Sequence, residues 1–172
     1  MSLSETAAYF KERFSIPESL EEIKSTWMDM ARDKYTNKVP LKPGAREFLV
    51  WLRQQGIRTG IASSNGIELV ETVLKAQGIQ EYLESVHTCC EVPKGKPAPD
   101  IYLLVAETLG VKPEECLVFE DVPMGILAGK NAGMRVCAVE DTFSAAQREE
   151  KKELADYYIE SYDEIPRERM QP

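Results

Sequence analysis

The sequence has little to bind a soft metal with. A single histidine, His87, and four cysteines without Cys-x-x-Cys spacing give a cysteine or histidine zinc cluster little support. Long hydrophobic runs are also missing. The apolar runs are short, as in Leu117-Val118-Phe119, and the opening segment is polar with no basic flank. Neither a signal peptide nor a membrane span is expected, which predicts a cytoplasmic protein with no membrane partner. Basic charge is in deficit. With 21 basic against 29 acidic residues and a net charge of −8, nucleic acid is disfavoured as a bulk partner, because backbone binding draws on a clustered positive surface. What is present, 43% hydrophobic and 29% charged residues over 172 positions, is the composition of one globular core with room for a small appendage. Cys89, Cys90, Cys116 and Cys137 are expected to be reduced small hydrophobes, three of them in apolar runs.

Two leading helices differ from the rest. Ala7, Phe10 and Phe14 fall at helical spacing until Pro17 breaks the pattern, and Ser19 with Glu22 then forms a capping box. Ile23, Trp27, Met30 and Ala31 mark the apolar face of the second helix, which ends near Tyr35. A helix pair of this size needs another surface to cover its remaining apolar side. From Val39 the rhythm changes. After the linker Pro40-Leu41-Lys42-Pro43-Gly44 comes a helix on Phe48, Leu49, Leu52 and Trp51, and then strands and helices alternate. Strands are predicted at 57–62, 85–90, 116–119, 135–139 and 157–159. Helices are predicted at 67–76, from Pro99 to the stop at Gly110, at 124–132 and at 144–154, with a polar tail at 161–172. Such alternation predicts an α/β fold with a doubly wound, mainly parallel sheet.

Ligands of open parallel sheets bind beyond the carboxyl ends of the strands, so the polar residues that follow each strand are the ones to examine. After the first strand stand Ser63, Ser64 and Asn65, whose hydroxyls and following helix amides either cradle an anion or merely cap the helix. After the second stands Lys96 in the stiff run Gly95-Lys96-Pro97-Ala98-Pro99-Asp100, either neutralising phosphoryl charge or solvated at the surface. Asp100 reads as a first-turn helix carboxylate. After the third strand stand Glu120 and Asp121, hard oxygen ligands suited to magnesium, or an ordinary acidic pair opening a loop.

Taken in order, these segments resemble the haloacid dehalogenase superfamily, and within it the beta-phosphoglucomutase-like phosphatases. The resemblance is carried by Ala62-Ser63-Ser64-Asn65, by residues 95–102, and by Phe119-Glu120-Asp121 followed by Gly125-Ile126-x-Ala128-Gly129-x-x-Ala132-Gly133. It implies a Rossmann-like core over 39–172 and part of a helical cap over 1–38. Ser63 would hold a phosphoryl oxygen, with Ser64 and Asn65 lining the same loop. Lys96 would steady the nucleophile and the phosphoryl charge, Asp121 would bind Mg2+ directly, and Glu120 would serve as a second acidic ligand, directly or through water. The activity implied is magnesium-dependent phosphoryl transfer on a small phosphorylated metabolite. Phosphatase is the leading form, and a sugar-phosphate mutase or a non-catalytic phosphate- or partner-binding remnant are the alternatives. A metal-free dehalogenase is disfavoured by the acidic pair.

The family's attacking aspartate lies in an Asp-x-Asp motif ending an apolar strand, and this sequence has no Asp-x-Asp. Before Ser63 the only aspartates are Asp29 and Asp33, both in the second predicted helix. The expectation is a core lacking its first strand, with on the order of 40–50 residues absent, the length of a strand-helix unit. Since that strand is central in the family, its absence predicts two sheet edges with unpaired backbone groups. Either the flanking strands close up, or a second copy of the chain donates an element in a homodimer, or the missing strand belongs to the native protein.

Overall fold

The structure, a computed structural model, describes residues 3–167. The first two residues and the end of the polar tail, 168–172, lie outside the described residues. Helices α1 (Leu3–Phe14) and α2 (Leu20–Asn37) form the leading pair. The capping box is present: Ser19 Oγ accepts from the Glu22 amide at 3.2 Å and the Glu22 carboxylate accepts from the Ser19 amide at 2.8 Å. Phe10 meets Trp27 edge-on at 5.3 Å, Ala7 and Ile23 are buried, and α2 lies along helix α4 (Ile67–Gln77). Met30 departs from its expected place in the apolar face, since it is 52% exposed. With Tyr9 and Phe14 also exposed, the pair keeps an uncovered apolar side.

The remaining elements alternate. They are α3 (Ala45–Gln54), β1 (Gly60–Ser63), α4, β2 (Ser85–Thr88), α5 (Asp100–Leu109), β3 (Leu117–Glu120), α6 (Pro123–Asn131), β4 (Arg135–Val139), α7 (Arg148–Leu154) and β5 (Tyr157–Ile159). All strand pairings are parallel. Successive residues of a strand point to opposite faces, and the packing follows that alternation. Ile61 of β1 packs with Val70, Leu74 and Leu49 on the α3/α4 side, whereas Ala62 packs with Ile101, Tyr102 and Ala106 on the α5/α6 side. In β3 Val118 joins the α5/α6 cluster, and Phe119 packs against Phe48 and Tyr162 on the other face. Helices therefore cover both faces, as expected of a doubly wound α/β sheet.

The sheet is in two pieces, β1-β2 and β3-β4-β5. The flanking strands do not close up: β1 and β3 are each an edge, and no described strand pairs with the free side of either. The core still runs across the division, because Ala62 and Val118 belong to one apolar cluster under α5 and α6. Close approach of α6 requires Gly129, where a Cβ would stand 2.7 Å from Val136 Cγ2. Of the cysteines, Cys137 is buried and its thiol is pushed up to about 11 by that burial, but Cys90 is exposed and does not belong to the core.

Candidate active site

Strand β1 ends at Ser63, and the next two residues turn the chain into α4. Helix α4 starts after Gly66 with no side-chain cap, so neither Ser64 nor Asn65 is spent as an N-cap; the Leu69 amide already donates to the Gly66 carbonyl at 3.1 Å, which leaves the Ile67 and Glu68 amides at the open end of the helix. Ser63 Oγ instead accepts from the Asn65 amide at 3.1 Å, which folds the loop back over the strand end. Ser64 Oγ lies 3.7 Å from Cys89 Sγ at the end of β2. The Asn65 side-chain amide donates to the Tyr35 hydroxyl at 3.1 Å, so α2 reaches this loop. Tyr35, where the second helix was expected to end, is half-buried at this contact.

Lys96 crosses the division in the sheet. Its ammonium donates to the carbonyl oxygen of Ala62 at 3.1 Å, one residue before Ser63, and pairs with the Glu120 carboxylate at the end of β3. Tyr102, one turn into α5, donates its hydroxyl to the same Glu120 oxygen, and the ammonium stands 5.0 Å from the Tyr102 ring centroid. Burial, with the Glu120 charge adding to it, pushes the Tyr102 phenol well above its ordinary value, so it remains a donor. The Lys96 and Glu120 side chains are only 12% and 10% exposed, and a Cβ on Gly125 would run into the Glu120 carboxyl group. Lys96 is therefore a buried tie between two strand ends. Sequence reasoning left Tyr102 out, although its position three residues after Pro99 places it on the first turn of α5 beside Lys96.

Asp121 faces the other way. Its side chain is 40% exposed, and its Oδ2 lies 3.6 Å from Lys42 Nζ, which is also 2.5 Å from Asp141 Oδ2 and donates to the Glu140 carbonyl at 3.1 Å. The Asp121 main chain is anchored. Ser144 Oγ donates to its carbonyl at 2.6 Å and accepts at 2.9 Å from the fully buried Lys151. None of Lys42, Asp141, Ser144 and Lys151 was singled out from the sequence. The contacts of Lys42 with Asp121 and Asp141 join positions far apart in the chain and leave no local pattern. A separate surface hollow, lined by Arg46, Glu47, Val50, Trp51, Gln54 and Arg167, includes none of the predicted residues.

The serines thus stand at the carboxyl end of β1 and the acidic pair at that of β3, with Lys96 bonded to Ala62 and Glu120 and with Asp121 turned toward Lys42. The family model of haloacid dehalogenase-like hydrolases matches residues 7–133, most of the chain and all of these loops. The chain belongs to that family. Hexitol phosphatase B of Escherichia coli (strain K12) is 33% identical over 126 residues, covering 73% of this chain and 56% of that protein. The phosphorylated carbohydrates phosphatase of Thermotoga maritima is 32% identical over 123 residues, covering 72% and 57%. The chain thus spans little more than half the length of these curated relatives. Among solved structures, CbbY of Rhodobacter sphaeroides in complex with xylulose-(1,5)bisphosphate superposes with a TM-score of 0.77 at 25% identity, covering 87% of this chain and 67% of that one. The beta-phosphoglucomutase of Clostridium difficile shares the fold, with a TM-score of 0.74 at 22% identity over 96% and 74%.

The haloacid dehalogenase-like core holds its two acids in different states. Glu120 is committed to Lys96 and Tyr102, whereas Asp121 presents a hard carboxylate to solvent beside Asp141, with the Lys42 ammonium between them. Among the described residues no three or more His, Cys, Asp or Glu side chains gather as a metal cage. Magnesium commonly takes one or two carboxylates and fills its sphere with water and phosphate oxygens, so Asp121 with Asp141 fits it as the protein half of a site. Imidazole is absent, since His87 is engaged with Glu91 and Thr108. No helix among the described residues is long and apolar enough to cross a membrane.

Proposed function

We propose that this protein is a magnesium-dependent phosphatase of small phosphorylated metabolites, sugar phosphates foremost. The observation that supports the reading most is the Lys96 tie, which bonds to the Ala62 carbonyl just before the Ser63 loop and to Glu120 of the acidic loop. Ser63, Ser64, Asn65 and the uncapped amides of α4 would hold the phosphoryl oxygens. Lys96 would place its charge beside the transferring group. Asp121, aided by Glu120 or Asp141, would hold the ion, which when bound neutralises phosphoryl charge as a Lewis acid. The α1–α2 pair, residues 1–38, reads as part of a helical cap over the core at 39–172, with the Tyr35–Asn65 contact linking the two.

The attacking carboxylate in this reading comes from an extended segment bearing an Asp-x-Asp pair that inserts between β1 and β3. Its backbone would satisfy both free edges. Its carboxylate oxygen would bond to phosphorus as the bond to the leaving oxygen breaks and that oxygen takes a proton. Water would then cleave the acyl phosphate to restore the carboxylate and release phosphate. The test uses the 172-residue chain as it stands. Inorganic phosphate should bind and be weakened by Ser63→Ala and Lys96→Met, while an aryl phosphate with magnesium should show no turnover at ordinary enzyme rates. Phosphate binding indifferent to both substitutions would overturn the phosphatase reading, and ordinary turnover would overturn the inserted-segment reading alone.

A further inference from the structure

The two adjacent acids after β3 are divided between two lysines. Glu120 is held by Lys96, and Asp121 faces Lys42. Lys42 is not a free surface tether. Leu41 before it packs into the apolar cluster of Val70, Leu74 and Ile79, and the Pro43 carbonyl after it accepts from the Tyr162 amide and the Ser161 hydroxyl, both at 3.2 Å. With its stem fixed at both sides, the ammonium spends one N–H on the Glu140 carbonyl at 3.1 Å and another on Asp141 at 2.5 Å, leaving a third toward Asp121. At 3.6 Å that last contact is a charge interaction and not a hydrogen bond. The Asp121 main chain is held beside it by Ser144 and the buried Lys151.

We propose that Lys42 is a built-in counter-cation of Asp121 that competes with the divalent ion and so raises the metal concentration at which the site fills. The inference rests on Asp121 being the metal carboxylate of the proposed function. Its physical content is simple: an ion arriving at Asp121 meets a positive charge already placed on that carboxylate, and must either displace the ammonium or share the acid with it. In return, the acidic loop without its ion is kept neutralised and in place, with Asp141 as the second anchor of the same lysine. Lys42 would thus tune when the site loads without touching the phosphoryl group.

The experiment is a Mn2+ titration of the 172-residue chain, with free Mn2+ read by its paramagnetic resonance signal, on the native protein and on Lys42→Met, Lys42→Arg and Asp121→Asn. Lys42→Met should bind Mn2+ about tenfold more tightly than the native chain, and Lys42→Arg should stay within about twofold of it, since the charge is retained. Affinity unchanged or weakened in Lys42→Met, or no detectable Mn2+ binding by that variant, overturns the proposal. Asp121→Asn separates this failure from that of the metal-site reading. If Asp121→Asn leaves Mn2+ binding intact, the metal does not use Asp121 and the proposed function is at fault; if Asp121→Asn abolishes binding while Lys42→Met changes nothing, only the role of Lys42 is wrong.

Discussion

Replacing Lys96 by methionine removes a side chain that bonds to both free-edged strands. The side chains of the Lys96–Glu120 pair are 12% and 10% exposed, so solvent screens it little. Loss of one partner leaves a buried carboxylate held only by the Tyr102 hydroxyl, which costs about 3–5 kcal/mol for a buried pair. Loss of the ammonium beside the Tyr102 ring adds about 0.5–1 kcal/mol. Methionine keeps the apolar stem, so about 4 kcal/mol is expected in urea unfolding, roughly a quarter to most of an ordinary domain's stability. Glu120→Gln keeps the shape and the acceptor and removes the charge, at about 1.5–3 kcal/mol. The Lys96→Met/Glu120→Gln double variant has no unpaired charge left, so it should be less destabilised than the sum of the singles by about 2–3 kcal/mol. Additivity within about 0.5 kcal/mol would refute the claim that these side chains form one buried tie.

Other consequences follow from neighbouring contacts. Gly125→Ala drives a methyl into the Glu120 carboxyl group, and overpacking of about 1–3 kcal/mol should outweigh the gain of about 1 kcal/mol in helix propensity, lowering the thermal midpoint. Ser144→Ala removes the link between buried Lys151 and the Asp121 carbonyl and should cost about 2–3 kcal/mol in urea unfolding, while a cost within about 0.5 kcal/mol would show the link to be idle. Glu140 is held down at about 2 from the ordinary 4.5 by its bonds to Arg148 and Tyr158, with Lys151 adding charge. Its depressed value means that its contribution is complete above pH about 4.5 and is lost as pH falls toward about 2. Glu140→Gln should therefore flatten the fall in stability over that window, and an unchanged acid profile would contradict the assignment.

Local signals carried most of the fold. The capping box at Ser19 and Glu22 and the left-handed stop at Gly110 each appear where short-range chemistry placed them. Strand boundaries were less legible. The predicted strand at 57–62 begins later, at Gly60, because the Ile57 amide is taken by the Leu52 carbonyl as α3 ends, and an apolar residue in a turn looks like one in a strand. Cys89 and Cys90, read as a strand end, form a single tight turn for the same reason. At the site, Ser63, Lys96, Glu120 and Asp121 were visible because each follows a strand. Their division of labour was not: Glu120 turns inward to Lys96 and Tyr102, and Asp121 outward to Lys42. That choice depends on Gly125 leaving room for one carboxylate and on Ser144 fixing the main chain of the other.

The central claim is that the Ser63 loop, Lys96 and the acidic loop serve one phosphoryl-sized hollow. The most direct measurement is an inorganic phosphate titration of the isotopically labelled chain, with and without magnesium, followed by amide and lysine-amine resonances. The account predicts that the amides of residues 63–67, the Lys96 amine and the Asp121 amide shift together with one dissociation constant, and that magnesium tightens it. Shifts confined to a single loop, or separate constants for the Ser63 and Asp121 loops, would contradict it.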